Sequence, residues 1–164
     1  MWSLVEHQLV NARLLATHDK RRPRQASLRR AVSTAYYAVV QALCATCAET
    51  LVGWKKPWGA FTPVFRALEH ARAAQRILQP SLATTPDLQR LGFTFKELQA
   101  AREWADYSPE PRPNFEAGTN SSPFTREEAL TLIELAHEAI EILDRLDEDA
   151  RLRLATCLVA RTRK

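Results

Sequence analysis

Glycine is scarce in this chain, with four in 164 residues, and cysteine and methionine are scarcer, at three and one. So few glycines leave little material for the tight turns of a many-stranded protein. No stretch sustains an alternation of Val, Ile, Thr or aromatic residues with polar ones, whereas Ala, Leu, Arg and Glu are plentiful. Strands are therefore not expected, and an all-α chain is. Three cysteines at positions 44, 47 and 157 make no disulfide framework. Cys44-Ala-Thr-Cys47 falls inside a helical stretch, with neither a second pair nor a helix N-terminus to acidify a thiol. Reduced thiols are expected there rather than a redox or metal centre. No metal site is expected elsewhere either, because His7 and His137 lack neighbouring ligand motifs. No basic segment followed by a long apolar core opens the sequence, so no secretion signal is read and a cytoplasmic location is the expectation.

Acidic residues are rare in the first half. Residues 1–80 hold 12 Lys/Arg against 4 Asp/Glu, and residues 81–164 hold 11 against 15. The overall charge of +4 thus divides into a basic and an acidic half. Much of the positive charge lies in Lys20-Arg21-Arg22-Pro23-Arg24 and in Arg29-Arg30. This is either a footprint for a phosphate-bearing partner or a solvated basic loop. Opposite charges on the two halves would also help the chain pair with itself.

Charge is absent altogether from Ala31 to Ala48. On a helical wheel Leu28, Val32, Ala35, Val39, Leu43 and Thr46 share one side, while Arg30, Ser33, Tyr37, Gln41 and Cys44 share the other. The first side is small and aliphatic, as close helix packing requires. The second is polar but uncharged after Arg30, which is unusual for a face meant only for water. We read it as lining a site or an interface. Ser, Tyr, Gln and Thr within the run argue against a membrane span.

Length sets the expectation of one domain over 1–164. Five or six helices can be placed: about Ser3–Thr17, Pro23–Leu51, Thr62–Leu78, Thr85–Tyr107, a long helix after Thr125, and a last stretch reaching Val159. Thr62-Pro63 and Thr85-Pro86 put proline in a first turn, and Thr125-Arg-Glu-Glu128 is a capping-box pattern. Behind that box Ala129, Ile133, Ala136, Ile140 and Leu143 form an apolar stripe. Residues 108–123 contain four prolines and no periodicity, and read as a long loop. Arg161-Thr-Arg163-Lys164 forms a basic tail.

Three segments together resemble one family, the HEPN domains, which are small antiparallel helical bundles of nucleotide- and RNA-handling prokaryotic proteins. Arg29-Arg30-Ala-Val-Ser33-Thr-Ala-Tyr36-Tyr37-Ala resembles the family's second-helix signature, and Arg66-Ala-Leu-Glu69-His70 the start of its third helix. Leu98-Gln99-Ala-Ala-Arg102-Glu-Trp-Ala105-Asp106-Tyr107-Ser-Pro109, followed by Phe124-Thr125-Arg126, resembles a block of one uncharacterised subgroup. The resemblance covers about residues 5–145 and implies a bundle of about five helices, a homodimer, and a role in prokaryotic defence or toxin–antitoxin biology.

Many HEPN proteins cut RNA without metal or other cofactor, using an Arg followed four to six residues later by a His. The imidazole removes the ribose 2′-hydroxyl proton and the guanidinium stabilises charge on the scissile phosphate. Here Arg102 is followed by Asp106 and Tyr107 instead, and no histidine lies between His70 and His137. Arg13 and His18 have the family's spacing, which chance also supplies among 18 arginines and 4 histidines. Gln41 stands near where the family's second-helix signature often carries an aromatic residue and a histidine.

The candidate catalytic residues are Arg102, Asp106, Tyr107 and His70, and the candidate substrate-binding residues are Arg30, Ser33, Tyr37 and Gln41. Arg102 would hold a phosphate, Asp106 would orient it, and Tyr107 would donate a hydrogen bond or stack on a base. The plainer alternative for Arg102 and Asp106 is an ordinary i,i+4 ion pair. The expected partner is RNA or a nucleotide; an antitoxin or another defence-complex subunit is the alternative, with the protein as a noncatalytic assembly component.

Overall fold

The computed structural model describes residues 2–53, 55, 57–108, 112–114, 119–122 and 124–160. The basic tail at Arg161–Lys164 and parts of the proline-rich segment lie outside them. Among the described residues the chain is a helical bundle built around one long helix. Its helices are α1 (Trp2–Thr17), α2 (Gln25–Leu51), α3 (Trp58–Arg66), α4 (His70–Ile77), α5 (Pro86–Tyr107), α6 (Arg126–Arg145) and α7 (Glu148–Val159).

The 27-residue α2 packs against α1, α3, α5, α6 and α7. By length and composition it could cross a membrane, yet most of its apolar window is buried inside the bundle. Leu28, Val32, Ala35, Val39 and Leu43 are fully buried, and so is Ser33 on the opposite side. Alanines at 31, 35, 38, 42, 45 and 48 are all buried too, and their small side chains let neighbouring helices come close around α2. Gly53 ends the helix in the left-handed region (φ 85°), its N–H bonded to the Glu49 carbonyl at 2.9 Å.

Three helices begin at side-chain caps, two of them at their sequence signals. Thr85 caps α5 by accepting from the Leu88 N–H, with Pro86 in the first turn. Thr125 and Glu128 complete the capping box of α6, and Asp147 caps α7 through the Ala150 N–H. At the far end of α7, Arg76 of α4 donates to the carbonyls of Leu158 (2.9 Å) and Cys157 (3.3 Å).

The helix number exceeds the expected five or six because the third helix is two. Glu69 leaves helical geometry (φ −85°, ψ 85°), and the turn lets Phe61 and Leu68 before it and Ala73, Ala74 and Ile77 after it all reach the core. Burial on both sides of the break overrides the apparent continuity. Pro63 lies inside α3 rather than in its first turn; the helix starts at Trp58 behind Pro57, whose carbonyl accepts from Ala60 and Phe61. A second correction concerns the proline-rich segment. It contains a short antiparallel ribbon, β1 (Arg112–Asn114) with β2 (Thr119–Ser122), although no strand was expected. A two-stranded ribbon has two edges, so Pro113 can sit in it without an N–H to offer.

Gly92 on α5 marks the closest approach of α4 and α5. A Cβ there would stand 2.6 Å from Leu78 Cδ2 and 2.8 Å from Leu78 Cγ. Gly92→Ala should therefore destabilise by about 1–2 kcal/mol net, overpacking outweighing the roughly 1 kcal/mol gained in helix propensity; urea denaturation measures it. Burial pushes the Cys44 thiol up to about 11 and Cys47 up to about 12. At pH 8 Ellman's reagent should leave both unreacted in the folded protein and reach them only on unfolding, with half-buried Cys157 the most accessible.

Candidate functional site

Ser33, Tyr36 and Tyr37 are spaced i, i+3, i+4, so one face of α2 presents all three. The last two turns of α5 lie across that face and supply Arg102, Asp106 and Tyr107. Asp106 Oδ1 accepts from the Ser33 hydroxyl, and its other oxygen lies 2.9 Å from Arg102 Nε in an ion pair not aligned as a hydrogen bond. Arg102 Nη2 donates to the Tyr37 hydroxyl and, at 3.3 Å, to the Tyr107 hydroxyl. The guanidinium carbon sits 5.6, 5.2 and 5.1 Å from the ring centres of Tyr36, Tyr37 and Tyr107. These are cation–π distances on three rings. The Tyr36 hydroxyl is 3.0 Å from His70 Nδ1 at the start of α4.

Six of the eight residues singled out from sequence thus meet in one cluster: Ser33, Tyr37, His70, Arg102, Asp106 and Tyr107. Tyr36 joins them as the bridge to His70, a role that its packing character concealed. Arg30 and Gln41 do not join. Arg30 is exposed and turns toward α1, and half-buried Gln41 makes no side-chain hydrogen bond among the described residues. Arg29 is the arginine that reaches this side of the bundle. It lies 4.4 Å over the Trp104 ring and donates to the Ser108 carbonyl at 2.9 Å, holding the end of α5. Its signal was present, since Arg29 precedes Ser33 by four residues and Tyr36 by seven, which keeps one face. Arg13 and His18 are not assembled as a pair, because Arg13 binds Glu134 on α6 whereas His18 faces a groove beside α2.

The Arg102 side chain is only 11% exposed and Asp106 24%. Burial works against the Arg102 charge, but the Tyr37 hydrogen bond, with Tyr107 and Asp106 nearby, outweighs it and holds the pKa above its ordinary value. Burial pushes the Tyr36 phenol up to about 12, so it keeps its proton at neutral pH. Tyr36 and His70 Nδ1 share that contact, which leaves His70 Nε2 without a hydrogen-bond partner among the described residues, as a proton donor or acceptor according to the tautomer. Among the described residues Arg102 Nη1 has no hydrogen-bond partner, and it is not fully buried. Beside it Tyr107 is 71% exposed.

This arrangement can present one fixed, charged N–H edge, one exposed aromatic face and one imidazole nitrogen. Among the described residues no three His, Cys, Asp or Glu side chains converge as metal ligands. Comparisons with family models, curated proteins and solved structures find no match to this chain.

Asp106→Asn removes the counter-charge from a guanidinium that has little water to replace it. A loss of about 1–3 kcal/mol in unfolding free energy is expected, less than for a fully buried pair because both groups keep some solvent contact. A variant as stable as the wild type in urea would show that Asp106 does not hold Arg102.

Proposed function

We propose that the protein is a HEPN-like RNA- or nucleotide-binding protein and that the Arg102 cluster is its recognition site. The observation that carries the reading is the state of Arg102. Its Nη2 is given to Tyr37 and Tyr107 and its Nε is ion-paired with Asp106, while Nη1 has no partner among the described residues and belongs to a guanidinium beside an exposed ring. A guanidinium so oriented suits a phosphate oxygen, and Tyr107 suits the base beside it. His70 Nε2 supplies an acid or base for metal-independent cleavage at a ribose 2′-hydroxyl, which would leave a cyclic phosphate. In this reading Tyr36 replaces an adjacent residue as the partner that orients the imidazole. The family's homodimer and its toxin–antitoxin or defence setting come with the same reading.

A second reading is favoured by one specific feature. Arg102 gives its Nη2 to Tyr37 and Tyr107 and sets its Nε against Asp106 inside the protein, as in a fastening between α2 and α5 that supports a surface for another protein. On that reading the molecule is a noncatalytic subunit of a larger defence or effector assembly.

Labelled structured RNA, incubated without metal, separates the two. Binding is expected, weakened about tenfold by Tyr107→Ala, since stacking on one aromatic ring is worth about 1–3 kcal/mol. Cleavage that disappears in both Arg102→Ala and His70→Ala would make the site catalytic. RNA binding that Tyr107→Ala and Arg102→Ala leave unchanged would sink the recognition site and favour the assembly subunit.

A further inference from the structure

A groove of about 420 Å³ lies between α1 and α2, on a different face of α2 from the Arg102 cluster. Ser27, Arg30 and Thr34, at i, i+3 and i+7, line one wall, and Leu14 of α1 with His18 just beyond its end line the other. Three features distinguish it from a plain surface crease. Arg30 is exposed and its guanidinium has no partner among the described residues. The N-terminus of α2 opens beside it with no acidic residue in the first turn and no side-chain cap. The loop that closes the groove is held in place: Asp19 accepts from the Arg24 N–H at 3.1 Å and Nε at 3.2 Å, and Arg126 donates to the carbonyls of Asp19 and Lys20.

The charges facing the groove can be enumerated. Asp19 is the acid at its mouth, and Arg24 engages it, so that pair is nearly neutral. Arg30 is left as net positive charge, with His18 beside it and exposed Lys20, Arg21 and Arg22 in the adjoining loop. The Ser27 hydroxyl has no partner among the described residues, whereas the Thr34 hydroxyl is already given to the Arg30 carbonyl at 2.7 Å. Positive charge and a hydroxyl around one concavity match the oxygens of a phosphate, and the Leu14 wall matches the less polar part of the molecule that carries it.

We infer that the α1–α2 groove is a phosphate-binding site, centred on Arg30 and Ser27, that takes the phosphate of an RNA backbone or of a free nucleotide. The inference rests on the proposed function for the kind of ligand and is independent of it for the location.

The test uses the full chain and measures binding of ATP by calorimetry and of a fluorescein-labelled single-stranded RNA by anisotropy at several salt concentrations. Arg30→Ala should weaken RNA binding roughly tenfold and reduce the slope of log affinity against log salt by about 0.7. Arg30→Lys should restore most of the slope. Arg30 has no partner to lose, so both variants should fold, which circular dichroism verifies. Weakening of RNA alone assigns the groove to a backbone phosphate; weakening of ATP as well extends it to nucleotides. Wild-type affinity and slope for both ligands in Arg30→Ala overturn the groove, and the Arg102 reading survives if Tyr107→Ala weakens binding in the same assays. An Arg30 effect with Tyr107→Ala and Arg102→Ala unchanged leaves the groove standing and removes the Arg102 reading. Absence of any RNA or ATP binding by the wild type overturns both.

Discussion

Helix α2 is enclosed by five other helices, and almost everything distinctive in the molecule follows from that enclosure. A surface helix can turn its polar residues to water, but a central one cannot, and a buried hydroxyl without a partner costs about 1–3 kcal/mol. Ser33 and Tyr36 are both at 1% exposure, so each needs a partner from a neighbouring element. Asp106 on α5 serves Ser33 and His70 on α4 serves Tyr36. Arg102 then lies over the tyrosines and neutralises Asp106. The cluster is thus the means by which Ser33 and Tyr36 on a central helix are satisfied, before any question of a ligand arises.

The same geometry explains why polar function is split between two faces of α2. Residues at 33, 36 and 37 meet α4 and α5, whereas 27, 30 and 34 meet the shorter side chains and open edge of α1. On the first face the groups are spent on one another and rigid. On the second, Arg30 and Ser27 remain unsatisfied beside water. Rigid groups orient a ligand well, because little entropy is lost in ordering them, but they have few free hydrogen-bonding atoms to offer. Free cations offer charge and long-range attraction with little geometric definition.

Local signals made much of the architecture legible. The uncharged run of α2, the proline start of α5 and the capping box of α6 each depend on residues within a few positions, and each is where its pattern places it. The i,i+4 pair of Arg102 and Asp106 was legible for the same reason. Its partners were not accessible to periodicity, since Tyr37 is 65 residues from Arg102 and Ser33 is 73 from Asp106. Only the resemblance of separated segments drew them together. The break at Glu69 was hidden because it arises from burial of Leu68 and Ala73 on either side, which no local breaker residue announces. The ribbon in the proline-rich segment has strands of three and four residues, too short for alternation to register. Arg30 was chosen over Arg29 because a wheel ranks residues by angle about one helix. Which angle is functional depends on where α5 and α1 come to lie.

The division between the faces also bears on how a ligand could act on the whole molecule. Contact at Arg102 Nη1 engages a guanidinium that already joins α2 to α5 and touches the ring that meets His70 on α4, so binding there would reinforce contacts among three helices. Contact at Arg30 engages a side chain with no structural duty and would leave those contacts unchanged. A ligand long enough to reach both faces would spend its charge at Arg30 and its geometry at Arg102. A single nucleotide would have to choose between them, and the face with free charge is the one that would capture it first.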